Sequence, residues 1–170
     1  WKELAIRNQQ LLQDYIILHD CAKADVLKIT VDGRDISLDE YKRLDNNIKK
    51  DPARTRILFP GHEARAFERI SSLVSPALGQ TIRLHGLNYI VRKERDVSRL
   101  RDVYEEVYFA FEGDSEAAEI AFIAMYLDAV SSLKVREAGQ EPFSETAEFL
   151  QGYRLSRQEF FASFPLDALQ

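Results

Sequence analysis

One cysteine, Cys21, is the whole thiol content of the 170-residue chain. An internal disulfide framework is therefore excluded, and the composition fits a reducing, cytoplasmic setting. The seven glycines are scattered. None falls into G-x-G-x-x-G or G-x-x-x-x-G-K, so a phosphate-cradling loop is missing. No apolar run reaches the roughly 20 residues of a membrane helix, and no signal peptide or lipidation motif is visible. The chain begins with Trp1 rather than Met. It reads as one domain, residues 1–170, belonging to a longer or processed product.

Catalytic signatures are also scarce. There are three histidines, His19, His62 and His85, and none stands at metal-ligand spacing from another His or from Cys21. His19-Asp20-Cys21 places three reactive types in a row, but successive residues on a helix point about 100° apart and do not face one another. Cys21 as a nucleophile needs a base from elsewhere, with His62 and His85 the other candidates. Asp32, Asp35, Asp39 and Glu40 surround a glycine without meeting calcium-loop spacing. Glu105 and Glu106 fall on opposite sides of an expected strand. The expectation is therefore no catalytic residue, no cofactor and no metal.

What is present suits a globular core: 45% of residues are apolar, with ten Phe and seven Tyr. The net charge of −5 conceals an asymmetry. Residues 1–101 carry 19 Lys and Arg against 14 Asp and Glu, a balance of +5, whereas 102–170 carry 4 against 14, a balance of −10. An acidic total argues against nucleic acid as partner.

Helical spacing marks residues 2–23, with Leu4, Leu11, Tyr15 and Leu18 as the stripe. Val26 to Val31 alternates and runs into Asp32-Gly33, a hairpin signal because both turn positions need positive φ. Arg34 to Ile36 returns, and Ser37-Leu38-Asp39-Glu40 is a capping box for a helix ending near Lys50, before Pro52. Ile57-Leu58-Phe59 is a short strand or a loop anchor. Ala64 to Val74 reads helical, with Pro76 beyond it. Residues 81–94 read as a hairpin around His85-Gly86, and 103–112 as a third strand with Val103, Val107, Phe109 and Phe111 on one face. Asp114 and Ser115 then open a buried helix to Leu133, and a last helix runs from Ser144 to about Ser163, weakened at Gly152. The predicted fold is α+β: an antiparallel sheet, hairpin plus three-strand meander, covered by N-terminal, central and C-terminal helices.

The basic group Arg92, Lys93, Arg95, Arg99 and Arg101, beside a predicted strand end, is the candidate partner-binding edge, with Lys42, Arg43, Lys49, Lys50, Arg54 and Arg56 as a second group. Either suits an acidic protein surface or an anionic membrane surface. Ordinary edge-strand charges that discourage aggregation give the same pattern.

Gly86-Leu87-Asn88-Tyr89-Ile90-Val91-Arg92, then Val107-Tyr108-Phe109-Ala110-Phe111-Glu112 and a closing helix, resembles the second half of profilins over about residues 76–134. The element order is similar to roadblock and longin domains as well. The resemblance implies a non-enzymatic interaction or scaffold module for a cytoskeletal, trafficking or regulatory partner, and the long terminal helices could pair with a second copy to give a homodimer. A small-ligand sensor domain is the alternative, and a cysteine- or histidine-dependent enzyme the third.

Overall fold

The computed structural model describes residues 1–131 and 144–163. Two helices open the chain, α1 (Lys2–Arg7) and α2 (Gln9–Leu18). They divide at Asn8, whose backbone leaves the helical region at φ −110°, ψ 25°. The continuous helix expected over 2–23 is thus two helices and a 3-10 turn at Lys23–Val26. Their predicted stripe does face inward: Tyr15 is buried, and Leu4, Leu11 and Leu18 pack against the same cluster.

The first hairpin forms as read. Strands β1 (Lys28–Val31) and β2 (Arg34–Ile36) meet at Asp32 and Gly33, with φ of 48° and 80°. Ser37 caps α3 (Leu38–Arg43) in a complete capping box: Glu40 N donates to Ser37 Oγ at 3.1 Å, and Ser37 N donates to Glu40 Oε2 at 2.8 Å. Leu44 is extended and Asp45 caps a new helix, α4 (Asn46–Lys50), so the predicted helix to Lys50 is split. Strand β3 (Thr55–Leu58) then pairs with the other edge of β1, giving the antiparallel order β2-β1-β3 with Ile29 opposite both Ile36 and Ile57.

The larger correction concerns residues 81–112, where no meander forms. After α5 (His62–Ile70) come α6 (Pro76–Leu84), α7 (Leu87–Lys93) and α8 (Val97–Ala110). Val103 and Val107 share a face in a strand and in a helix alike, so they cannot decide between the two. Leu100, Tyr104 and Tyr108 do decide: they are buried together with both valines, and the five make an i, i+3, i+4, i+7, i+8 stripe. Phe109, inward in the strand reading, is 53% exposed. The caps agree, with Ser75 accepting from Leu78 N ahead of Pro76, and Asp96 accepting from Ser98 N. His85-Gly86 is the corner between α6 and α7 rather than a hairpin tip. The strands that carry the profilin resemblance are therefore helices α7 and α8. The fold class remains α+β, with one three-stranded antiparallel sheet beside a helical body.

Asp114 Oδ1 accepts from Glu116 N and Ala117 N and starts α9 (Ser115–Ser131). As expected, this helix is covered on most sides, because it separates two core clusters. Ala118, Ala121, Phe122 and Met125 face α8 and the last helix, α10 (Ser144–Ser163), while Ile120, Ile123 and Ala124 face α2, α5 and α6. Gly152 does not break α10. It lies against α7, where an added Cβ would stand 1.8 Å from the Val91 carbonyl oxygen. No helix among the described residues is long and apolar enough to cross a membrane.

Candidate metal centre

The three histidines, far apart in sequence, converge at helix ends. His19 is the C-cap of α2, His62 the first residue of α5 and His85 the C-cap of α6. Their rings contact one another in turn, His19 to His85 at 5.3 Å between centroids and His85 to His62 at 4.8 Å. Two carboxylates flank this meeting: Asp20, just beyond α2, and Asp128, on α9.

Tautomers follow from the backbone. His62 Nδ1 donates to Phe59 O at 2.8 Å, and His85 Nδ1 donates to Ile82 O at 2.6 Å. A carbonyl only accepts, so in each neutral ring the proton sits on Nδ1 and the Nε2 lone pair is bare. The two Nε2 atoms nevertheless stand 3.0 Å apart. Asp20 Oδ1 lies 3.4 Å from the first and 4.0 Å from the second, and it is a buried oxygen without a hydrogen-bond donor. Three electron-pair donors facing one space repel one another unless a proton or a metal cation lies among them. At metal–ligand bonds of about 2.1 Å, ligand atoms are about 3.0 Å apart at a right angle and about 3.4 Å apart at a tetrahedral one. The observed spacings are close to that range, and among the described residues Asp20, His62 and His85 are the set whose donor atoms all lie within 4.8 Å of one another.

The surroundings hold this set in place. His19 Nδ1 donates to the carbonyls of Tyr15 and Ile16, while its Nε2 faces Asp128 Oδ1 at 3.2 Å and Asp20 Oδ2 at 3.3 Å. Burial pushes the His19 pKa down, but the hydrogen bonds to Asp128 and Asp20 outweigh it and carry the ring up to about 9. Burial would likewise raise Asp20; His19 and Lys23 instead hold it well below the usual carboxylate range. Asp128 is lowered for the same reason, its burial overcome by the His19 hydrogen bond. His85 moves the other way, depressed by burial and by the neighbouring imidazoles, which favours the neutral form a metal requires. Lys23 Nζ donates to Asp20 Oδ2 at 2.6 Å and lies over the Phe59 ring. The Asp20 side chain is 36% exposed against 4% for His85, so the cluster opens to solvent on the Asp20 side.

Two sequence expectations change here. His19 and Asp20 do face one another, because α2 ends at Leu18 and Asp20 leaves the helical path. Linear spacing also held no trace of the metal set, since the three donors come from three elements. Only His62 lies near an expected helix start, at Ala64; His19 falls inside the helix expected over 2–23 and His85 at an expected hairpin tip. Cys21 packs half-buried at the edge of the α2–α5–α6 cluster, as a boundary thiol.

The basic group does not lie on a strand edge. Arg92 and Lys93 end α7, Arg95 is in the connection, and Arg99 and Arg101 belong to α8. Lys93 pairs with Glu148 at 2.8 Å, Arg99 with Glu94 at 3.3 Å and Arg101 with Asp102 at 2.6 Å, while Arg95 donates to the carbonyls of Arg92 and Glu94. Comparison with protein-family models, curated proteins and solved structures returns no match.

Proposed function

We propose that the chain is a metal-dependent hydrolase centred on Asp20, His62 and His85. One observation carries the reading: two imidazole Nε2 atoms, their tautomers set by backbone carbonyls, face each other and an orphaned carboxylate oxygen. A two-histidine, one-carboxylate set suits a borderline divalent ion such as zinc and leaves coordination positions for water and substrate. Such an ion lowers the pKa of bound water to about 7 and polarises a carbonyl or phosphoryl oxygen. His19, charged up to about pH 9, stands beside it as a proton-bearing group. The test is turnover of nitrophenyl carboxylate and phosphate esters by chelator-treated protein, with Zn²⁺, Mn²⁺, Co²⁺ and Mg²⁺ added singly. Metal-restored hydrolysis that His85→Gln abolishes supports the reading; no metal-stimulated turnover across the panel contradicts it.

A second reading, docking of an acidic partner, is favoured by the exposed Tyr89, Ile90 and Val97 beside Lys93, Arg95 and Arg99. Affinity for that partner should fall as salt rises; a constant affinity removes this reading.

A further inference from the structure

Asn88 lies on α7, apart from the three donors, and is 7% exposed. Its side chain meets Asp128 Oδ2 at 3.0 Å. A carboxylate only accepts, so the amide nitrogen faces Asp128 and the amide oxygen points elsewhere. That oxygen is buried without a donor, so the residue accepts an unsatisfied polar atom in order to keep its nitrogen on Asp128. The backbone fixes the position as well: Asn88 N donates to His85 O at 3.0 Å, so one corner of chain presents both the His85 imidazole and the Asn88 amide.

From Asn88 the contacts lead to the centre without a gap. Its amide holds Asp128 Oδ2, which leaves Asp128 Oδ1 for His19 Nε2 at 3.2 Å. His19 Nε2 in turn meets Asp20 Oδ2 at 3.3 Å, and Lys23 holds the same oxygen. With Oδ2 engaged, Asp20 Oδ1 is turned towards His62 and His85. Resting on the metal-centre reading above, we propose that Asn88 is a positioning residue for that centre, acting through Asp128 and His19 on the Asp20 carboxylate. Outer groups that orient metal ligands contribute about 10–100-fold to metal affinity.

The experiment titrates chelator-treated full chain with Zn²⁺ against a chromophoric competitor, and records the visible spectrum of the Co²⁺ form. Asn88→Leu, close in size and without the donor, should weaken affinity about 10–100-fold and alter the Co²⁺ bands. Asn88→Ser, polar and too short to reach Asp128, supplies the same test if the leucine variant does not fold. Because Asn88 acts through Asp128, Asn88→Leu added to Asp128→Asn should weaken binding no further than Asp128→Asn alone. Folded Asn88 variants with wild-type affinity and wild-type Co²⁺ bands overturn the assignment, as does a loss that simply adds to that of Asp128→Asn. A wild-type chain that takes up neither ion overturns this inference together with the hydrolase reading, whereas unaffected variants of a metal-binding wild type overturn this inference alone.

Discussion

Raising the pH on the metal-free chain should unfasten the His19 ion pairs, and the structure sets the size and window of the effect. His19 rises from its ordinary value of 6.5 to about 9 on folding, and its side chain is only 8% exposed. At about 1.4 kcal/mol per pH unit, a shift of this size corresponds to about 3 kcal/mol, little discounted by solvent. A group whose folded pKa is raised stabilises fully below its unfolded pKa. The contribution is therefore complete below pH 6.5 and disappears as the pH climbs towards about 9. Asp20 is depressed by the same contact, so its side of the pair is lost only on acidification and is not a second increment at high pH. The assay is urea unfolding in the presence of chelator from pH 6 to 10, for wild type and Asp128→Asn. Wild type should lose about 3 kcal/mol across the window, and the variant, with one of the two His19 carboxylates gone, clearly less. A wild-type stability that is flat from pH 6 to 10, or one that falls equally in the variant, refutes the ion-pair account.

Two further substitutions test the packing around the site. Gly152→Ala places a methyl 1.8 Å from the Val91 carbonyl, so α10 must move off α7; the strain should exceed the gain in helix propensity and destabilise by about 1–3 kcal/mol in urea. Equal or greater stability of that variant means the helices are not in this contact. Glu119, 13% exposed, accepts from Trp1 Nε1, Tyr104 OH, Tyr153 OH and Arg157 Nε and ties α1, α8 and α10 to α9. Glu119→Gln should cost about 1–3 kcal/mol, because an amide cannot serve four donors and leaves buried hydroxyls short of an acceptor, while the half-exposed Arg157 is resolvated. Thermal unfolding together with tryptophan fluorescence reads both the loss and the release of Trp1; an unchanged Tm with unchanged fluorescence contradicts the hub.

The parts of the fold legible in the sequence are those written in local chemistry. Asp32-Gly33 needs positive φ and has it, Ser37 and Glu40 cap one another, and the described residues 144–163 are helical as the apolar pattern indicates. Residues 81–110 were not legible because their apolar positions satisfy two periods at once, and only burial of Leu100, Tyr104 and Tyr108 separates them. Gly86 added to the misreading: a glycine after a histidine resembles a hairpin tip, yet its φ of −60° is ordinary helical backbone. Gly152 weakens α10 by helix propensity alone, yet the missing side chain is what allows α7 to approach.

The site was hidden for a different reason. Its donors sit on α5, on α6 and just past α2, and only packing of those helices around α9 brings His62 and His85 to within 3.0 Å. No pairwise spacing encodes that meeting. The charge asymmetry, by contrast, is visible in composition, but part of it is offset inside the chain, as in Lys93–Glu148 and Arg7–Glu116.

The account depends most on whether Asp20, His62 and His85 hold an ion. Isothermal titration of chelator-treated protein with Zn²⁺ and Mn²⁺, for wild type, His62→Gln and His85→Gln, measures this directly. The geometry predicts tight binding by wild type and a large loss in each folded variant, with protons released on binding as the pH is lowered towards the imidazole range. Absence of binding by wild type, or binding that survives both substitutions undiminished, contradicts it.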